Sequence, residues 1–511
     1  MALLVIGAVV VFRGALRLYF AQEDFRGLAV AAGVYPRHAQ LWRYLSIQTF
    51  MDVFYPFFRD RPWPYHLVSL GLHGLNACLL FWLLAKCFDR VAALVGSTFF
   101  AVHPALFTAL YWLSARADIL AATFALLTVM FALREGRERW LAVPVFAFSL
   151  LSKESVLPLP DVIALLDWWR ITKHTSTQKP PKAWTWTTVA LVLLSTIFGI
   201  YLAHAEMAAR SEAGPAYALD FGTPLIGNLF TYVAWTVDVA LLRPGMRFVD
   251  HQDPAVFGFA VAILLIVALL ALWPALRRRG WLVALGSVLI LLIPVLPLRN
   301  HTYHYYLYLP LMAASAGLAL LFDALRSSLS RSEREQRRAQ KRRAWSHSSS
   351  WLVAGLCWVL LTWNGARLVT LMERRPSPVY PGLCGDPIVD RALIAERVIR
   401  GLRAGSIPPG TELVFIMRER LALIARIVRG SGESPPPTQE VYPETNVKTA
   451  LFDGVGVRAL FPTVDSVTFV TRLGQPMAQR RYVVYAPAGE SEVFDAAALD
   501  SLLRSPWVTR W

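Results

Sequence analysis

Long apolar stretches alternate along the chain with short polar and basic segments. A helix needs roughly 20 apolar residues to cross the hydrocarbon core of a bilayer. Eleven candidate stretches lie near residues 2–20, 65–86, 91–108, 118–134, 140–153, 155–169, 187–205, 255–274, 281–298, 306–325 and 350–369. The pattern predicts an all-α polytopic membrane protein with about 11 transmembrane helices over residues 1–375.

Composition supports a membrane protein over a large soluble one. The 511 residues are 56% hydrophobic and only 17% charged, whereas soluble domains carry about 25% charged residues. The net charge of +16 is concentrated in short clusters between apolar stretches, which is typical of cytoplasmic loops and does not indicate nucleic-acid binding. Three of the four cysteines lie in or beside apolar stretches, which argues against a disulfide framework.

Basic clusters predict the orientation of the chain in the membrane. Four of them, near residues 134–139, 170–182, 277–279 and 326–343, are expected in the cytoplasm. This places the amino terminus inside and the carboxyl terminus outside. The further apolar stretch 225–242 is interpreted as an interfacial or re-entrant helix on the outer side, because a full span there would move the third cluster outside.

The character of the sequence changes after about residue 375. Residues 376–511 are predicted to form a small extracytoplasmic α/β domain, which we expect either to help bind an acceptor or to serve as a docking module. Strands are predicted at 413–418, 467–472 and 482–487, and helices at 387–404, 419–429 and 493–504.

An acidic pair follows the first apolar stretch. Glu23 and Asp24 open the first outer loop, about residues 21–64, which also carries Arg43. One carboxylate at such a position can act as a general base while the other orients a substrate or a divalent metal ion. The alternative is that the pair only marks the interfacial end of a helix. Nothing in the sequence requires a metal.

Two further groups of polar residues are predicted on the outer side. His103, Arg116 and Asp118 lie in a segment that joins two spans. The planar guanidinium fork of Arg116 suits a phosphate, although interfacial arginines also snorkel without binding a ligand. Lys153 and Glu154 form a charged turn between two short apolar stretches, and would contact a phosphate or pair internally.

The last candidates lie in the segment 300–310. His301 and His304 precede a tyrosine-rich stretch, which is either part of a site or an ordinary interfacial anchor.

The sequence has no Walker A loop, no GxGxxG fingerprint, no HExxH motif and no GxSxG elbow. An ATP-driven pump, an NAD enzyme of the soluble type and a zinc protease therefore lack support.

Four motifs follow one another in a characteristic order. They are WRYLS (42–46), RPWPYHLVSLGLHGLNACLL (61–80), FAVHPALFTALYWLSARADILAA (100–122) and LLSKESVLPLPDVIALLD (150–167). This succession resembles the polytopic family C glycosyltransferases, which share the GT-C fold. The likeness is greatest to the membrane part of the tetratricopeptide-repeat protein O-mannosyltransferases and their bacterial relatives. YLYLP at 306–310 matches a late outer-loop motif of the same group.

The resemblance implies an inverting hexosyltransferase, for example a mannosyltransferase, that uses a polyprenyl-phosphate sugar on the outer face. It implies that Asp24 or Glu23 is the catalytic base. Arg43, Arg116 and Lys153 are then expected to hold the donor phosphate.

The sequence also departs from the family pattern. Relatives usually carry an Asp-Asp pair where this chain has Glu23–Asp24. They carry an acidic residue followed by arginine where this chain has His304–Tyr305. The tetratricopeptide repeats are missing, so whether the acceptor is a protein or a glycan stays open.

The sequence is also compatible with two other functions. One is a transporter or flippase of lipid-linked saccharides, and the other is a catalytically inactive GT-C-like scaffold. The arginine-rich cation content and the lack of a disulfide set favour a bacterial inner membrane, with the outer loops and the domain 376–511 in the periplasm.

Overall fold

The computed structural model describes residues 1–37, 40–173, 182–209, 219–237, 254–273, 276, 280–298, 301–339, 348–376, 384–416, 444–470, 473–486 and 489–504. This part of the chain is mostly helical and ends in a small sheet, which confirms the predicted fold class. The predicted helix 419–429 and the basic cluster 277–279 lie outside the described residues.

Helices occupy all eleven stretches that the sequence predicted. The helices are α1 (Ala2–Phe12), α2 (Asp24–Ala31), α3 (Phe50–Phe58), α4 (Pro62–Cys87), α5 (Arg90–Ala101), α6 (Phe107–Tyr111), α7 (Arg116–Ala132), α8 (Ala142–Ser152), α9 (Leu159–Lys173), α10 (Lys182–Ala209), α11 (Thr223–Trp235), α12 (Pro254–Leu272), α13 (Trp281–Leu292), α14 (Tyr308–Ala339), α15 (Ser348–Arg374), α16 (Pro387–Ala404), α17 (Glu444–Ala450), α18 (Val455–Leu460) and α19 (Ala496–Leu503).

The helices differ in how much of a membrane they can cross. Among the described residues, those long and apolar enough to span are Pro62–Cys87, Leu113–Ala132, Trp186–His204, His304–Ser328 and Ser350–Arg374. The pair Arg90–Ala101 and Pro104–Tyr111, bent by 43°, gives a sixth if it counts as one span. Other predicted spans form shorter helices; α1 and α8 have 11 residues each. A helix of that length rises about 16 Å, roughly half of the hydrocarbon thickness.

Small residues allow the helices of the bundle to approach closely. At the crossing of α5 and α14, a Cβ on Gly96 would lie 2.5 Å from the carbonyl oxygen of Ser315 and 2.9 Å from the Cβ of Ala319. Only glycine fits this contact. Such crossings bring α4, α5, α7 and α14 together around one buried apolar core.

The C-terminal part forms a four-stranded sheet with the order β2-β1-β3-β4. Its strands are β1 (Thr411–Ile416), β2 (Val464–Val470), β3 (Arg480–Tyr485) and β4 (Ser491–Phe494). β1 is parallel to both β2 and β3, and β4 is antiparallel to β3. The predicted helix 493–504 begins too early, because residues 491–494 complete the sheet as β4 and Asp495 then caps α19 through the backbone N–H of Ala498.

The sheet domain packs against the first outer loop. Phe20, Phe25 and Leu28 of the loop belong to the same buried cluster as Val398 and Phe415 of the domain. This shared core places the C-terminal domain directly on the helix that begins with the acidic pair.

Candidate active site around the acidic pair

Asp24 is the buried carboxylate at the start of α2. Its Oδ2 accepts a hydrogen bond from the backbone N–H of Ala21 at 3.1 Å, and its Oδ1 accepts one from the hydroxyl of Ser114 at 2.6 Å. The residue is only 5% exposed. The first contact fixes the turn into α2, and the second connects the outer loop to the segment that precedes α7.

The surroundings of Asp24 shift its proton affinity towards neutral pH. Burial raises the pKa of Asp24 to about 6, and the hydrogen bonds from Ser114 and Ala21 together with the charge of Arg116 limit the rise. A carboxylate with such a pKa is deprotonated at pH 7 and still accepts a proton readily, which suits a general base.

Glu23 differs from its neighbour in environment. Its side chain is exposed, whereas that of Asp24 is buried. Desolvation by the surrounding protein nevertheless raises the pKa of Glu23, and a backbone hydrogen bond and the charges of Arg391, Arg43 and Arg26 limit the rise. The acidic pair is therefore asymmetric: one carboxylate is enclosed, and the other faces basic side chains.

Arg116 is a buried cation held by backbone carbonyls. Its Nε donates to the carbonyl of Ser46 at 3.1 Å, and its Nη1 donates to that of Leu113 at 2.9 Å. The guanidinium also lies 4.4 Å from the centre of the Phe50 ring. These contacts place a positive charge close to Asp24.

Arg43 and Glu154 form a bidentate ion pair. Arg43 Nε donates to Glu154 Oε2 at 2.9 Å, and Nη2 donates to Oε1. The indole N–H of Trp42 donates to the same carboxylate at 3.0 Å. Although burial acts in the opposite direction, the charge of Arg43 and its hydrogen bonds hold the pKa of Glu154 at about 2. The first outer loop is thus attached to the turn between α8 and α9.

Lys153 and Asp118 form a second pair deeper in the protein. The Lys153 ammonium donates to Asp118 Oδ2, and the two side chains are 4% and 3% exposed. The ammonium also lies 4.5 Å from the centre of the Tyr305 ring and 5.4 Å from that of Tyr306. The Tyr305 hydroxyl is 2.8 Å from Nε2 of His301, so this histidine belongs to the same group.

His103 and His304 lie together elsewhere. His103 Nδ1 accepts from the backbone N–H of Ala105 at 3.2 Å, and Nε2 donates to the carbonyl of Thr236 at 3.0 Å. His304 is buried against Trp235 at a ring distance of 4.0 Å. The contacts of His103 connect helix ends, and they do not include Asp24, Arg43 or Lys153.

The structure therefore brings most of the predicted residues to one region. Ser46 connects the two halves: its carbonyl accepts from Arg116, and its hydroxyl donates to the carbonyl of Ser152 at 2.8 Å. Ser46, Ser114 and Trp42 were not predicted from the sequence. Ser114 had a detectable signal, because it lies two residues before Arg116 in a predicted outer turn.

No group of three or more His, Cys, Asp or Glu side chains that could hold a metal ion occurs among the described residues. Glu23 and Asp24 supply carboxylate oxygens, which divalent cations prefer. Metal binding by this pair stays a prediction.

Comparisons with known proteins return a distant likeness only. No family model and no curated protein matches the chain. One similar structure is the archaeal oligosaccharyltransferase AglB from Archaeoglobus fulgidus, with an inhibitory peptide and a dolichol-phosphate. It is 12% identical with a TM-score of 0.38, over 81% of this chain and 62% of that one.

A second structure is the Archaeoglobus fulgidus oligosaccharyltransferase tethered to an acceptor peptide. It is 11% identical with a TM-score of 0.41, over 91% of this chain and 63% of that one. The chain thus spans less than two thirds of the length of either neighbour. Similarity at these scores carries no argument about function.

Proposed function

We propose that this protein is a membrane glycosyltransferase. It moves a sugar from a polyprenyl-phosphate donor to an acceptor hydroxyl on the outer face of the membrane, with inversion. The observation that carries the proposal is the convergence of distant motifs. Asp24 contacts Ser114, Arg43 pairs with Glu154, and Lys153 lies between Asp118 and the tyrosines before α14. The segments that resemble the family C glycosyltransferases in sequence meet in space.

Asp24 is the proposed base. The acceptor oxygen attacks the anomeric carbon as its proton passes to the Asp24 carboxylate. The bond between that carbon and the phosphate oxygen breaks, and its electron pair leaves with the polyprenyl phosphate. A single displacement inverts the configuration at the anomeric carbon. Proton removal by the base lowers the activation barrier, and stabilisation of the negative charge on the departing phosphate lowers it further.

Arg43 is the proposed contact for the phosphate. Its side chain is 21% exposed, compared with 4% for Lys153 and 6% for the whole residue Arg116. Glu154 holds the Arg43 guanidinium in place, and a phosphate would share or take over part of this pair. Lys153 and Arg116 are too buried for a large ligand and act through their charge, which is strong at a site shielded from water.

A panel of labelled donors tests the proposal. Purified protein in detergent is incubated with polyprenyl-phosphate hexoses, and the release of polyprenyl phosphate is measured with and without candidate acceptors. The same sugars linked to nucleotides serve as controls. We expect turnover of at least one lipid-linked sugar and none of the nucleotide sugars. Folded protein that cleaves no donor, or that moves a lipid-linked sugar across proteoliposomes without cleaving it, would contradict the proposal.

A further inference from the structure

The residue before the acidic pair has an unusual backbone. Gln22 has a φ of +55°, in the left-handed region that residues other than glycine rarely adopt. Such a conformation persists only where neighbouring groups hold it. The residue is 6% exposed, so protein groups and not water surround it.

Both groups that hold Gln22 come from the C-terminal domain. Its backbone N–H donates to the carbonyl of Ala450 at 2.9 Å. Its side-chain amide, oriented with the oxygen towards the donors, accepts from the Arg391 guanidinium through Nη1 and through Nε at 3.0 Å. The main chain of Gln22 is thus bound by α17, and its side chain is bound by α16.

Arg391 belongs to a helix with a capped N-terminus. It lies in the first turns of α16, whose N-terminus is capped by Asp386 through the backbone N–H groups of Ile388 and Val389. Besides Gln22, its charge acts on the carboxylates of Glu23, Asp386 and Asp390. Arg391 therefore binds Gln22 directly and acts on Glu23 through its charge.

Close packing seats the domain on this loop. A Cβ on Gly456 would lie 2.6 Å from the Phe25 ring, and Phe25 directly follows Asp24. The turn that holds Asp24 begins at Ala21, whose N–H and carbonyl both bond to Asp24, at 3.1 Å each. Relaxation of Gln22 from its left-handed conformation would alter this turn and move the carboxylate. Displacement of a reacting group by about 1 Å can cost 10²-fold in rate.

We propose that Arg391 is a positioning residue for the Glu23–Asp24 pair, so that the C-terminal domain completes the site in the first outer loop. The inference rests on the proposed glycosyl transfer. It gives the domain 376–511 a role in catalysis that does not depend on the identity of the acceptor.

Steady-state kinetics of single variants provide the first test. We expect Arg391→Ala to lower kcat for the donor by about 10- to 100-fold with little change in KM, because the carboxylate moves while the phosphate contacts stay. Arg391→Lys keeps the charge but not the planar fork, and should fall between wild type and Arg391→Ala. The matched control is Arg403→Ala on the same helix, which breaks an exposed pair with Asp60 of the outer loop and leaves Gln22 untouched.

A double mutant separates positioning from general loss of structure. Glycine adopts a positive φ without strain, so Gln22→Gly removes both the strain and the amide that Arg391 binds. In the Gln22→Gly background, we expect Arg391→Ala to lower kcat by less than threefold, well short of its effect in wild type. Equal losses in both backgrounds would overturn the inference.

Hydrogen–deuterium exchange gives a readout that needs no activity. Arg391→Ala should accelerate exchange in the peptide that covers residues 19–31, and Arg403→Ala should not. An active wild type whose Arg391→Ala variant matches Arg403→Ala in kcat and in exchange would contradict the inference alone. A wild type that turns over no donor would contradict the proposed function, and the exchange data would still decide whether Arg391 holds the loop.

Discussion

At Asp24, burial and hydrogen bonding act on one proton in opposite directions. Burial raises the pKa of the carboxyl to about 6, well above its ordinary value, and the bonds from Ser114 and Ala21 limit the rise. The sequence predicted an acidic pair without distinguishing its members. The distinction depends on which side chain the fold encloses, and the hydroxyl that binds Asp24 comes from Ser114, 90 residues away.

The rate of transfer should follow the ionisation of Asp24. Since the base must be deprotonated, kcat/KM should rise with pH through a midpoint near 6 and level off above it. Ser114→Ala removes a hydrogen bond that favours the charged form, so its midpoint should move to higher pH. Measured pH–rate profiles of wild type and Ser114→Ala check this. A flat wild-type profile between pH 5 and 8 would contradict the assignment.

The buried pair Lys153–Asp118 should matter far more to stability than an exposed pair. Lys153→Met leaves the Asp118 carboxylate buried without its partner, which costs about 3–5 kcal/mol, and thermal unfolding should occur at a clearly lower temperature. Arg326→Met is the control, because its pair with Asp89 is 33% and 38% exposed and contributes about 0–1 kcal/mol. Adding Asp118→Leu to Lys153→Met should restore part of the loss. Equal effects of Lys153→Met and Arg326→Met would show that the buried pair is not formed.

At the scale of elements, the apolar stretches located helices at every predicted span but did not give their lengths. Charged turns such as Lys153–Glu154 were visible in the sequence, and the structure ends α8 there. The partners of these charges were not predictable. Lys153 pairs with a residue 35 positions away, and Arg43 with one 111 positions away. A single sequence reports local pattern, whereas such pairs depend on how helices pack.

The crossing of α5 and α14 should tolerate no side chain at residue 96. Gly96→Ala places a methyl group 2.5 Å from the Ser315 carbonyl oxygen, and the forced shift should cost about 1–3 kcal/mol. The matched control is Gly71→Ala on α4, where nothing lies within 4 Å of the new methyl and alanine favours the helix. Thermal unfolding in detergent distinguishes them. If Gly96→Ala unfolds at the same temperature as Gly71→Ala, the close contact between α5 and α14 at residue 96 is contradicted.

At the scale of the whole molecule, the sequence indicated a boundary near residue 375 and an α/β character for the C-terminal part. It did not reveal that Phe20, Phe25 and Leu28 of the first outer loop share a core with the C-terminal domain. Both segments show apolar positions of ordinary spacing, and nothing in either sequence names the other as its partner. The position of Arg391 beside Gln22 could not be predicted for the same reason.

Residues 1–375 alone should not behave as a stable protein. Without the C-terminal domain, the side chains of Phe20, Phe25 and Leu28 lose their cover, and an exposed apolar patch of this kind promotes aggregation. We expect a monodisperse peak for the full chain and aggregated or degraded material for residues 1–375 in size-exclusion chromatography in detergent. A monodisperse and active 1–375 would show that the domain is an independent attachment.

The most direct measurement is donor turnover by Asp24→Asn beside Asp52→Asn and wild type. Asp52 lies in the same loop with its side chain 36% exposed, paired with Arg37. Loss of the base should lower turnover by about 10²–10⁴-fold in Asp24→Asn, whereas Asp52→Asn should stay within about threefold of wild type, because an exposed pair contributes little. Wild-type turnover in Asp24→Asn, and in the double variant with Glu23→Gln, would contradict the account.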